Sequence, residues 1–158
     1  MAKVGKISIM AQRKVFISYS HEDAEWLERL RVHLRPVERE GIIDLWDDTK
    51  IAAGIQWKEA IVNALETARV AVLLVSANFL ASDFIAEHEL PELLARAKAG
   101  GTTIIPVILS PSLFTSTSLG AFQAINNPDY PISDMTFSKQ EQIFVKIALA
   151  IMERFKAE

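Results

Sequence analysis

Lys14-Val15-Phe16-Ile17-Ser18-Tyr19-Ser20-His21-Glu22-Asp23 is the stretch from which the rest of the chain can be read. Val15 to Ser18 is apolar without polar alternation, as in a strand buried on both faces and central in a parallel sheet. Ser20 stands where a helix N-cap belongs, ahead of Glu22 and Asp23, whose charges suit the positive end of a helix. Leu27, Leu30, Leu34 and Val37 then recur at helical spacing, and Pro36 and Gly41 are expected to end that helix.

Working outward, short apolar runs keep alternating with longer helical periods, the signature of βαβ units under a parallel sheet. A second strand is predicted over residues 42–46, and residues 47–56 form a polar loop holding Gly54. Trp57, Ile61, Ala64, Leu65 and Ala68 lie on one side of the next helix, which leads to a third strand at 70–75. Residues 76–82 are a connector. A helix over 83–99 carries Ala86, Leu90, Leu93 and Ala97 on one stripe, with an irregular start expected from Pro91, and Gly100-Gly101 stops it. A fourth strand follows at 102–109, and a closing helix at 138–155 turns Phe144, Ile147, Ile151 and Phe155 inward. Residues 110–137 are long for a loop inside a compact domain, so a short fifth edge strand is expected near 123–125 and helical turns near 113–122.

The chain has 158 residues, half of them apolar, with 17 basic against 20 acidic side chains and no cysteine. One domain over residues 14–158 is expected, preceded by a flexible leader at 1–13. The lack of Cys excludes thiol catalysis, Cys-bound zinc and disulfides, and points to the cytoplasm. A formal net charge of -3 argues against nucleic acid as a partner. No apolar run approaches the roughly 20 residues that span a bilayer, so no membrane role is expected.

In an open parallel sheet, ligands bind beyond the carboxyl ends of the strands, where the strand order reverses. Residues 18–21, 47–56, 76–82 with the following helix start, and the loop after Leu109 should therefore converge. No GxGxxG or GxxxxGK[ST] occurs, a phospho-receiver's acidic residues are missing at Ser18-Tyr19 and Ser76, and no GxSxG elbow exists. His33 reads as a partly buried structural residue and His21 as part of a helix start. Asp44, Asp47 and Asp48 read as solvated or capping acids rather than as a metal site. Glu89, one helical turn beyond Ile85, is the carboxylate to single out, at the margin of its helix near the cleft; spacing alone favours an exposed helical acid.

Lys14-Val15-Phe16-Ile17-Ser18-Tyr19-Ser20, Trp46-Asp47-Asp48, Gly54-Ile55-Gln56-Trp57, Leu73-Leu74-Val75-Ser76 and Phe79-Leu80-Ala81-Ser82 ahead of Glu89-Leu90 together resemble a bacterial Toll/interleukin-1 receptor (TIR) domain. The resemblance covers about residues 13–155. It implies a flavodoxin-like α/β fold, five parallel strands in order 2-1-3-4-5 with helices on both faces. It also implies cleavage of NAD, as substrate rather than cofactor, at the nicotinamide-ribose bond. The family's W-x-x-x-E glutamate falls on Glu89, with Ile85 in the aromatic position and Phe84 beside it. By the same resemblance Ser18, Tyr19, Ser20, Gly54 and Ile85 would meet the substrate. The 47–56 loop would contact other TIR domains in a homo-oligomer or filament, in bacterial antiphage defence. The alternative implied is a non-catalytic adaptor that signals through TIR-TIR contacts. Trp57 is either part of this loop's function or the core anchor of its helix, and Trp46 is equally open.

Overall fold

The computed structural model describes residues 13–156; all but the last residue of the expected leader lies outside them. Strand β1 (Lys14–Ser18) is followed by a 3-10 turn (His21–Asp23), helix α1 (Ala24–Arg39) and strand β2 (Asp44–Trp46). Helix α2 (Trp57–Thr67) leads into β3 (Ala68–Val75), then the short α3 (Ala77–Ala81), a π-helical turn (Ile85–Glu89) and α4 (Leu90–Lys98). Strand β4 (Thr103–Ile108) and α5 (Phe137–Lys156) follow.

The sheet is parallel throughout, in order β2-β1-β3-β4. Period-two alternation splits the core into two layers. Val15, Ile17 and Tyr19 face α1 and α5 with Leu30, Leu34, Phe144 and Ile151. Phe16 faces the other way, with Ala71, Leu73 and Val75, against Ile61 and Leu65 of α2, Phe79 of α3 and Leu93 of α4. Each fully buried Leu, Ile or Phe stabilises the fold by about 1.5–3 kcal/mol relative to exposure. Trp46 lies stacked on Phe16 with ring centroids 5.2 Å apart.

The expected fifth strand is absent among the described residues. Pro106 explains this. Its carbonyl faces the free side of β4 and accepts from Ile125 N at 2.8 Å, so its ring nitrogen faces the same side and a fifth strand would find no donor at that position. Asn126 closes the edge instead, its side chain accepting from Ile108 N at 2.9 Å and donating to Ile108 O at 3.0 Å. The helical turns expected in this region are present at Phe114–Ser116 and Ser118–Ala121.

Two other expectations are corrected. Pro36 does not end α1; it sits inside the helix, which runs on to Arg39 before Gly41 adopts φ 72°. Nor does Ala86 point into the core: it is exposed, and Ile85 and Glu89 are the buried pair. The expected irregular start is this π turn, in which Leu90 N donates to Ile85 O, five residues back. Pro91 accounts for it, because it lacks an N–H and its ring would collide with the preceding turn of a regular helix. The wider turn rotates the upstream face by about one residue.

Candidate functional site

The order β2-β1-β3 places the reversal of strand order beside β1, and a cleft opens beyond the carboxyl ends of β1 and β3. A cavity of about 270 Å³ lies there, lined by Tyr19 to Glu22, Asp48, Ser82, Phe84, Ile85 and Glu89. Three of the four expected segments converge on it; the loop after Leu109 does not contribute. A larger groove of about 530 Å³, at the opposite end of the strands around Arg13, Ile42 and Leu149, holds no buried carboxyl group.

Ser18 follows Phe16 by two positions and so points to the α2–α4 side of the sheet. There its hydroxyl donates to Glu89 Oε1 at 2.6 Å. Ser18 is 1% exposed and Glu89 5%, so the reading of Glu89 as a solvated helical acid does not hold. Burial above all, opposed by the Ser18 hydroxyl and His21 and aided by the nearby charge of Asp48, leaves the Glu89 carboxyl pushed up to about 7. A carboxyl group near half-ionisation at neutral pH, backed by an apolar wall of Ile85, can hold sugar hydroxyls or face a developing cation.

Tyr19 and Ser20 line the cavity as expected, whereas Ser18, buried against Glu89, does not line it. The Tyr19 hydroxyl donates to Asp48 Oδ1 at 2.6 Å, and burial together with this bond raises its pKa. His21 Nε2 pairs with Asp48 Oδ2. Ser20 accepts from Glu22 N at 3.3 Å, the predicted cap. Asp48 was readable only as a capping or solvated acid, yet it lines the cavity; its place just beyond β2, at the strand end where ligands collect, is the signal that marks it. Asp47 does the capping: buried, it accepts from Thr49 N at 2.9 Å and anchors the turn Asp48–Lys50. Ser76 caps α3, accepting from Phe79 N at 3.0 Å, and donates to Asp23. No cluster of three or more His, Cys, Asp or Glu suited to a metal exists among the described residues.

Gly54 does not line the cavity. It sits at φ 86° in an exposed turn closed by Ile55 N donating to Ala52 O at 3.1 Å, so its role is to let the loop turn. Trp57 is no core anchor: it is 45% exposed and tilts against Phe84, with centroids 5.2 Å apart, and meets His88 edge-on at 5.6 Å. The π turn makes this possible. At its wider pitch Phe84, Ile85 and Glu89 all line the cavity. His33 is structural as expected, bonded to Glu141 at 3.1 Å, which holds that carboxyl group below its usual range.

The family model described as TIR domain matches residues 15–138. A Sinorhizobium fredii protein, uncharacterized protein y4lF, is 32% identical over 139 residues, 88% of this chain and 42% of its own length. The chain thus spans less than half of that relative. Among solved structures, the TIR domain of the Toll-related receptor TRR-2 from Hydra magnipapillata is 19% identical with a TM-score of 0.53, covering 88% of this chain and 97% of its own. The TIR domains of the activated Roq1 resistosome, a complex directly recognizing the pathogen effector XopQ, are 18% identical with a TM-score of 0.55, covering 92% of this chain and 85% of their own. No helix among the described residues is long and apolar enough to cross a membrane.

Proposed function

The chain belongs to the TIR domain family, and on that premise we propose that it is an NAD hydrolase that releases nicotinamide and ADP-ribose, with Glu89 as the catalytic carboxylate. The observation that carries this reading is the Glu89 carboxyl group, buried against Ser18 at the wall of a cavity at the strand-order switch. Nicotinamide is a good leaving group because it departs as a neutral amine. The transition state then carries positive charge on the ribose ring oxygen and C1′. A fixed carboxylate orients the ribose hydroxyls and stabilises that cation in a partly water-excluded site, while no leaving-group acid is required. Ser18 holds the carboxylate in one rotamer, and Tyr19, Ser20, Phe84 and Ile85 shape the space the sugar and the nicotinamide ring occupy.

A cavity of about 270 Å³ is small beside the 300–1,000 Å³ usual for ligand sites, and suits one end of a dinucleotide. Self-association supplies the remaining wall. The exposed Ile55 and Trp57, on and next to the 47–56 loop, are the surface through which this reading has the chain meet other TIR domains. The resistosome resemblance supports such assembly. The same exposed pair favours a second reading, a non-catalytic adaptor signalling through TIR-TIR contacts. In either case we assign the chain to the cytoplasm and to bacterial antiphage defence.

NAD consumption by concentrated protein separates the two. Turnover that Glu89→Ala abolishes supports the hydrolase; self-association without turnover supports the adaptor.

A further inference from the structure

Glu89 accounts for the departure of nicotinamide but not for the proton that an attacking water must lose. We propose that His21 is the catalytic base that receives this proton, with Asp48 as its positioning residue. The proposal rests on the hydrolase reading of the site.

The turns that follow two neighbouring strands, β1 and β2, bring the pair together. His21 comes from the turn after β1 and Asp48 from the turn after β2, and both line the cavity that holds Glu89. Asp48 is fixed from two directions, by the Tyr19 hydroxyl on Oδ1 and by His21 Nε2 on Oδ2. The loop carrying it is in turn anchored by the buried Asp47. With Nε2 held, the ring nitrogen left to receive a proton is Nδ1. The His21 side chain is 76% exposed, so water reaches it freely, whereas the buried Glu89 faces the sugar. This is the arrangement of a base oriented by a third group.

The step balances. The C1′–N bond breaks and its electron pair leaves with nicotinamide. A lone pair of water forms the C1′–O bond, the water O–H bond breaks, and the proton passes to His21 Nδ1. The imidazolium so formed is stabilised by the Asp48 carboxylate until it returns the proton to solvent.

An acceptor without a proton to lose tests this. Concentrated wild-type protein, His21→Ala and Asp48→Asn are each given NAD with added 3-acetylpyridine, whose ring nitrogen captures the ribosyl cation directly. ADP-ribose and the pyridine-exchanged dinucleotide are then quantified by chromatography. The ratio of hydrolysis to exchange is expected to fall on the order of 100-fold in both variants. An unchanged ratio, whether both products fall together or neither falls, overturns the proposal. A wild-type chain that releases no nicotinamide overturns the hydrolase reading and this proposal with it.

Discussion

The Ser18 hydroxyl donates a 2.6 Å hydrogen bond to Glu89 Oε1, joining the carboxyl end of β1 to the π turn across 71 positions of sequence. Both groups are buried, so the bond is not exchanged for one to water, and it favours the charged form of the carboxylate. Ser18→Ala is therefore expected to push Glu89 higher still. The rising limb of the pH–rate profile moves to higher pH, and NAD cleavage at pH 7 falls on the order of 10-fold, with the fold retained. A profile that stays in place would show that the hydroxyl does not govern this carboxylate.

The pH dependence of stability carries the opposite sign to that of activity. Glu89 titrates at about 7 in the folded chain and near its ordinary 4.5 when unfolded. Between these values the folded state holds a proton that the unfolded state has released. The stability associated with this proton is fully present below about pH 4.5 and is lost as pH rises through 7, amounting to roughly 3 kcal/mol over the window. Urea unfolding of wild type and Glu89→Gln at a series of pH values checks this. The wild type is expected to weaken across the window relative to the variant, whereas NAD cleavage grows as the carboxylate ionises.

Restoring a tryptophan at position 85 is expected to damage the protein rather than activate it. Ile85 is 2% exposed and packed in the α2–α4 core layer. Ile85→Trp overfills that site and should cost about 1–3 kcal/mol, seen as a lower Tm. The aromatic surface at the cavity is Phe84, brought beside Glu89 by the π turn. Phe84→Ala is expected to raise KM for NAD several-fold while the circular-dichroism spectrum is preserved.

Gly54 is expected to act through the loop alone. Its φ of 86° is strained for any other residue although the space around it is open, so Gly54→Ala costs about 1 kcal/mol of local conformation. Gly54→Pro, whose ring fixes φ near -65°, forbids the turn altogether. Light scattering should show weakened self-association of Gly54→Pro, and activity should fall with it, while Tm changes little. Wild-type specific activity in that variant would remove the loop from the account.

Much of the fold was legible in the sequence because it rests on local patterns. The run Val15 to Ser18, the leucine period of α1 and the glycine stops each have a nearby cause. What escaped depends on contacts the pattern cannot carry. A fifth strand was expected from the length of the 110–137 segment, yet the direction in which the Pro106 carbonyl points decided against it. Helical spacing put Ala86 inside, and one wide turn imposed by Pro91 replaced it with Ile85 and Glu89. Helix position singles out Glu89, but spacing favours an exposed acid there, and it is the family resemblance that favours a site carboxylate. The bonds from Tyr19 and His21 to Asp48 join residues 29 and 27 positions apart, and only the meeting of β1 and β2 at one end of the sheet brings them together.

The most direct measurement is the rate of nicotinamide release from NAD by concentrated wild-type protein and by Glu89→Gln at pH 8, with both confirmed folded. The wild type should turn over NAD and the variant, which keeps the shape but not the charge, should be slower by a factor on the order of 100 to 1,000. Equal rates in the two would contradict the assignment of Glu89 to the chemistry.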